Sequence, residues 1–176
     1  MVALALLISG VLALLGFWGD DHFGVTHNAT SSSGEIALTC AESVGQQGRD
    51  GGVVNGVTGL NLPGSGDPGS LALFLGPDGR KYYVYKALLA VSSSDAPFAT
   101  VSILDPPSAR LYYGPPLGLN QTLVLASKKR VRLPVCGPRF SGYPGGVVLE
   151  APSRVSFQVT TPRRHAVRVE VSIGDG

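Results

Sequence analysis

Two hydrophobic patterns divide the chain. Residues 1–18 contain no charged residue and no proline. A helix of this length, with a rise of about 1.5 Å per residue, reaches roughly 27 Å, the short end of what spans a hydrocarbon core of about 30 Å. Beyond residue 33 the apolar residues occur in short runs separated by glycine and proline, which is typical of strands joined by turns. We expect one transmembrane helix, a linker at 19–33 and a β-domain at 34–176.

The N-terminal segment resembles an uncleaved anchor more than a signal peptide. No lysine or arginine precedes the apolar run, and Phe17 and Trp18 are bulky where a signal peptidase requires small side chains. The amphipathic ring of Trp18 also suits a membrane–water boundary. We expect a single-pass plasma-membrane protein with its β-domain on the extracytoplasmic side. Secretion after cleavage is the alternative.

Strand-like runs recur along the rest of the chain, and several alternate with period two. In 130–135, one face carries Val131, Leu133 and Val135, whereas Arg130 and Arg132 face water. Further strands are predicted at 35–40, 71–75, 81–91, 98–104, 110–113, 122–126, 147–150, 154–160 and 165–173, and the glycine-interrupted segment 53–62 could add another short one. Together they predict an all-β fold, an antiparallel β-sandwich or partly open barrel of about nine or ten short strands.

Three details of this pattern can be checked separately. The turn sequence at 76–79 predicts a hairpin between 71–75 and 81–91, in which the tyrosines pack across the strands rather than forming a ligand platform. The glycine-rich segment 142–146 is expected to be a tight loop. In the last strand, alternation places four residues inward: Val167, Val169, Val171 and Ile173.

Composition narrows the classes of function. Charged residues make up 15% of the chain and the formal net charge is +2, whereas a nucleic-acid binder normally carries a concentrated basic face. We therefore expect no nucleic-acid partner. The 24 glycines and 13 prolines are consistent with many turns between short strands.

The two cysteines, Cys40 and Cys136, are expected to form a disulfide, because an exported domain experiences an oxidising compartment. The bond would close a loop of about 96 residues and contribute roughly 4 kcal/mol by the chain-entropy model. Two separate buried thiols are the alternative. No other cysteine or histidine lies at zinc-ligand spacing from either residue, so no metal site is expected.

Surface chemistry is suggested at two places. Lys128, Lys129, Arg130 and Arg132 form a basic patch that could bind an acidic lipid or polysaccharide. The turn and polar face of an ordinary hairpin explain the same spacing, and we prefer that interpretation. The N-glycosylation triplets begin at Asn28 and Asn120, and they matter only in a host that glycosylates this way.

Catalytic motifs are missing from the sequence. The three histidines are His22, His27 and His165, of which the first two lie in the linker. No serine lies in a Gly-x-Ser-x-Gly elbow, and the glycine-rich region 45–69 lacks the Gly-Lys-Ser/Thr of a phosphate loop. We expect no catalytic residue, no cofactor and no enzyme activity.

Part of the chain resembles a known group of proteins. The segments 133–137 and 139–148, followed by Ala151-Pro152, look like a pattern in small uncharacterised exported or membrane-anchored proteins of high-GC actinobacteria. The resemblance extends over residues 34–173 and implies an exported β-domain without an established activity. That group often has a further cysteine after the Ala-Pro pair, where this chain has Ser153 and Arg154, so the resemblance does not extend to a second disulfide.

These observations together predict a non-catalytic, membrane-anchored domain with a structural or partner-binding role in the cell envelope. Its expected partners are the membrane, through residues 1–18, and an envelope protein or polysaccharide. A secreted binding glycoprotein is the second hypothesis, and an envelope hydrolase is the third.

Overall fold

A computed structural model describes residues 34–44, 53–60, 71–92, 96–114, 124 and 126–174. Within these residues the chain forms ten strands and one short 3₁₀ turn at Cys40–Glu42, and Val124 and Ala126 are helical. The strands are β1 (Glu35–Ala37), β2 (Val57–Thr58), β3 (Leu71–Leu75), β4 (Lys81–Ser92), β5 (Phe98–Asp105), β6 (Arg110–Tyr113), β7 (Arg130–Pro134), β8 (Phe140–Leu149), β9 (Ser153–Thr161) and β10 (Arg164–Ile173).

The strands form two sheets with one core. The first sheet has the order β1-β7-β5-β9-β10, and the second has the order β2-β4-β8-β6, with β3 also paired to β4. Alternate side chains of both sheets meet in a single buried cluster, which includes Val101 and Phe157 from the first sheet and Leu89 and Tyr143 from the second. This arrangement confirms the all-β prediction and corresponds to the sandwich rather than the barrel.

Period-two alternation is confirmed where a strand lies inside the first sheet. Val131 and Leu133 of β7 are fully buried, whereas Arg130 and Arg132 are exposed. The same holds for β9, whose inward residues are all buried. Alternation identifies faces correctly here because each strand has a core on one side and water on the other.

The predicted hairpin of β3 and β4 is also formed, with five residue pairs in antiparallel register. Tyr82 and Tyr85 are buried, and the ring of Tyr82 stacks on Phe74 with centroids 5.7 Å apart. Tyr82 and Val84 belong to a small cluster on the outer face of the second sheet. The tyrosines therefore pack within the sheet, as expected.

One pair of strands departs from the antiparallel prediction. β1 runs parallel to β7, with Glu35 opposite Arg130 and Ala37 opposite Arg132. Because the two strands end on the same side, the residues that follow them meet there. Cys40 and Cys136 form a disulfide with Cα atoms 5.5 Å apart, which confirms the predicted pairing.

The predicted loop at 142–146 is wrong, because these residues lie inside β8. This strand pairs with β4 along its whole length, and with β6 from Gly145 to Val148. A Cβ atom on Gly146 would overlap the carbonyl oxygen of Tyr85 and the ring of Tyr112. The glycines are thus explained by the close approach of three strands rather than by a turn.

Two further expectations have separate outcomes. In β10 the alternation is confirmed, since Val167, Val169 and Val171 lie opposite the core residues Val159, Phe157 and Val155. Only Val171 and Ile173 are buried, and Val167 is 39% exposed, because β10 is an edge strand with a register shift near its start. The strand predicted at 122–126 is not formed in its described residues, since Val124 and Ala126 are helical. The amide of Ser127 donates to the carbonyl of Val124, which closes this turn.

The predicted anchor at 1–18 and linker at 19–33 lie outside the described residues. Among the residues that are described, no helix has the length and apolar character needed to span a bilayer.

We predict that Gly146→Ala lowers the free energy of unfolding by about 3 kcal/mol, because the added methyl group must displace the backbone of β4 or the ring on β6. Gly79→Ala is the control. Gly79 has a φ of +75° but open space around it, so its substitution should cost only about 1 kcal/mol of backbone strain. Urea unfolding followed by circular dichroism measures both values. Equal losses in the two variants would contradict the close-packing explanation.

Candidate anion-binding site

An open cleft of about 460 Å³ lies at one edge of the sandwich, and it is lined by residues from both sheets. Arg110 begins β6 of the second sheet, and Arg130 begins β7 of the first. The remaining lining residues are Gly34, Ser127, Lys128 and Lys129. Among these described lining residues, four are cationic and none is acidic.

The cleft exists because the chain crosses between the sheets at residues 127–129. Lys128 exchanges two backbone hydrogen bonds with Leu111 of β6, at 2.6 and 2.8 Å. The next residue, Lys129, accepts a hydrogen bond at its carbonyl from the amide of Ile103 in β5, at 2.9 Å. Two successive lysines are therefore held by different sheets, and their backbones are fixed relative to both.

Lys129 is the most constrained cation of the cleft. Its Nζ atom donates to the carbonyl of Pro106 at 2.8 Å. Burial, followed by the positive charge of Arg110, lowers the pKa of Lys129 from 10.5 to about 8, while Asp105 acts in the opposite direction. Burial and Arg110 thus disfavour the ammonium form, and an anion in the cleft would stabilise it.

The two arginines are also held by the surrounding protein. Arg110 donates through one terminal nitrogen to the carbonyls of Pro107 and Ala109, the latter at 2.9 Å. Arg130 donates from Nε to the hydroxyl of Ser102 at 3.2 Å. Because a guanidinium has five N–H donors, each arginine retains donors beyond these bonds.

This arrangement is suited to binding a negatively charged group. Charge-assisted hydrogen bonds from lysine and arginine to a carboxylate or phosphate are stronger than neutral ones. Prior positioning of the side chains reduces the conformational entropy that binding must remove. The described lining residues are thus chemically suited to an anion.

Most of the predicted basic patch lies together, but its membership changes. Lys128, Lys129 and Arg130 line the cleft, whereas Arg132 stacks over the ring of Phe98, with its guanidinium carbon 3.8 Å from the ring centroid. Arg110 was missed by sequence reasoning. It is distant from the patch along the chain, and only the pairing of Leu111 with Lys128 brings it close.

The other candidate residues have structural roles or lie outside the described part. The disulfide of Cys40 and Cys136 is adjacent to Tyr143, whose hydroxyl donates to the carbonyl of Pro134 at 2.6 Å. Burial is the main cause that raises the pKa of Tyr143 to about 12. The predicted sites at Asn28 and Asn120, and the linker histidines His22 and His27, lie outside the described residues.

His165 is exposed, and its backbone carbonyl accepts a hydrogen bond from the side chain of Asn55 at 2.7 Å. Within the part of the chain that the structure describes, no three histidine, cysteine, aspartate or glutamate residues cluster as metal ligands.

Comparison with known proteins adds no identity: no family model, curated protein or solved structure matches the chain. The resemblance to exported actinobacterial proteins therefore stays a prediction.

We predict that Arg110→Gln raises the pKa of Lys129 from about 8 towards 10.5, because it removes the neighbouring positive charge. The pKa should not reach its ordinary value, since burial remains. Arg132→Gln is the matched control, because Arg132 stacks on Phe98 and does not line the cleft. Titration of the lysine side-chain resonances by NMR measures the shift. An equal effect of both substitutions would contradict the arrangement described here.

Proposed function

We propose that the protein is a non-catalytic, membrane-anchored domain of the cell envelope that binds an anionic partner through the cleft. The observation that carries this proposal is the convergence of Arg110, Lys128, Lys129 and Arg130 around one opening of about 460 Å³. Like charges repel one another, so a cluster of four cations is unfavourable without an anion. The strand pattern explains the spacing of Lys128, Lys129 and Arg130, but it does not explain why Arg110 of another strand lies beside them, and a binding role accounts for that addition.

The anchored location is supported by the sequence of residues 1–18 and by the disulfide. An uncharged apolar segment long enough to span a bilayer precedes the linker. A disulfide is typical of domains that fold in an oxidising compartment, and Cys40 is bonded to Cys136. If the N-terminus lies on the cytoplasmic side of the membrane, the β-domain and its cleft lie on the extracytoplasmic side, within the envelope.

A secreted binding glycoprotein remains the second candidate, because the same apolar segment could be cleaved. The third, an envelope hydrolase, would require an acid and a base that face one pocket. The cleft lining supplies four cations among its described residues and thus favours binding over hydrolysis.

We predict that the mature protein retains residues 1–18 and sediments with membranes. Intact-mass measurement and carbonate extraction of the envelope fraction check this. Loss of the apolar segment, with the protein in the medium, would favour the secreted alternative, and added glycan mass at Asn28 or Asn120 would indicate a glycosylating host.

We predict that the domain binds inorganic tripolyphosphate, used as a probe, and that Lys129→Gln and Arg110→Gln each weaken binding about tenfold, because each removes a charge-assisted hydrogen bond. Isothermal titration calorimetry measures the dissociation constant. Lys86→Gln is the matched control: Lys86 is exposed on β4 of the second sheet and does not line the cleft, so its loss should leave binding unchanged.

The same binding should depend on pH with a definite sign. Below pH 8 Lys129 is protonated and attracts the anion, and above about 8 it loses its proton and affinity falls. The ratio of the wild-type affinity to the Lys129→Gln affinity should therefore decrease between pH 7 and pH 9.5, and taking the ratio cancels the titration of tripolyphosphate itself in this range. Equal binding by the wild type, the cleft variants and Lys86→Gln would contradict a role for the cleft.

A further inference from the structure

Basic and polar residues continue from the cleft across the outer face of the first sheet. The strand register places Arg130 of β7 opposite Ser102 of β5, Ser102 opposite Gln158 of β9, and Gln158 opposite Arg168 of β10. The inward neighbours of these residues face the core, so all four face outward. We call this set the arginine row: Arg130, Ser102, Gln158 and Arg168.

A second row lies beside it and has a similar character. Arg132 is opposite Thr100, and Thr100 is opposite Thr160. The nearby ring of Phe98 is covered by the guanidinium of Arg132. This half of the face therefore presents arginines separated by hydroxyl and amide groups.

The row and the cleft form one continuous surface, because Arg130 belongs to both. Adjacent strands are about 4.8 Å apart, so the arginine row extends about 14 Å from β7 to β10. A single small anion fills only the cleft. An occupant that also reaches Arg168 must be an extended chain with negative charges along its length.

Acidic residues border the arginine row without interrupting it. Asp105 of β5 and Glu170 of β10 both lie opposite Ser156 of β9, one register position beyond the row, and Asp105 favours the charged form of Lys129. Glu170 of β10 is paired with Arg154, at 3.7 Å between Oε2 and a terminal nitrogen. Glu35 is opposite Arg130 on β1, on the side away from Arg168. The path from Arg130 to Arg168 itself contains only neutral polar residues in register.

We infer that the partner is an acidic polysaccharide, which lies across the first sheet from the cleft to Arg168. The inference rests on the proposed function and specifies its ligand. Arginine binds carboxylates with two parallel hydrogen bonds, and the hydroxyl and amide groups of Ser102, Thr100 and Gln158 match sugar hydroxyls. A single-stranded nucleic acid would require exposed aromatic rings for stacking, and the ring of Phe98 is already covered.

The test uses a length series of oligogalacturonates with the full-length protein in detergent, at about 0.15 M salt to suppress weak long-range attraction. Affinity should rise with chain length until the oligomer spans the row, and then level off. Arg168→Gln should remove this gain, about fivefold for the longer oligomers. It should leave the binding of tripolyphosphate in the cleft unchanged. Lys86→Gln, on the opposite sheet, should alter neither.

The outcomes separate this inference from the proposed function. If tripolyphosphate binds but affinity for oligogalacturonates does not depend on length or on Arg168, the cleft binds small anions and the polysaccharide inference is overturned. If neither probe binds, both proposals fail. Length-dependent binding that disappears in Arg168→Gln supports both. Tighter binding of single-stranded nucleic acid than of the oligogalacturonates, again dependent on Arg168, would overturn the choice of polysaccharide.

Discussion

The crossing of the chain between the two sheets at residues 127–129 is the constraint on which the candidate site depends. Lys128 is hydrogen-bonded to β6 of the second sheet, and the carbonyl of Lys129 is hydrogen-bonded to β5 of the first. Backbone bonds to two sheets fix both lysines without using their side chains. The ammonium groups can therefore be directed into a cleft that the edges of the sandwich enclose, beside arginines that begin the neighbouring strands.

The disulfide reinforces the opposite end of the same region. β1 reaches only from Glu35 to Ala37, and its pairing with β7 is parallel. Such a short strand has few hydrogen bonds to hold it, and the bond between Cys40 and Cys136 ties it covalently to the end of β7. A bridge across 96 residues of sequence restricts the unfolded chain strongly, with an expected contribution of roughly 4 kcal/mol. The edge that carries Gly34 and Glu35 is thereby kept beside the cleft.

In the proposed function, the cleft and the polar outer face of the first sheet form one binding surface. The cleft would supply the main attraction, because its four cations lie together and an anion would offset the effects of burial and of Arg110 on Lys129. The arginine row would extend the contact with the ligand along one line, because the register aligns its residues across four strands. A β-sandwich suits this use, since one face of each sheet forms the core while the other remains available to a ligand.

The amino-acid sequence by itself determined the all-β class, the faces of β7 and β9, the hairpin of β3 and β4, and the pairing of the cysteines. These features follow from local alternation, from turn-forming residues and from the presence of only two thiols. Only the tertiary structure decided that 142–146 lie inside a strand, because the glycines there are required by contacts with β4 and β6. It also decided the membership of the site. Arg110 lies beside the lysines because Leu111 pairs with Lys128, and Arg132 lies apart from them, stacked on Phe98. Both positions depend on pairing between strands that are distant in sequence, and no local sequence pattern determines which distant strands become neighbours.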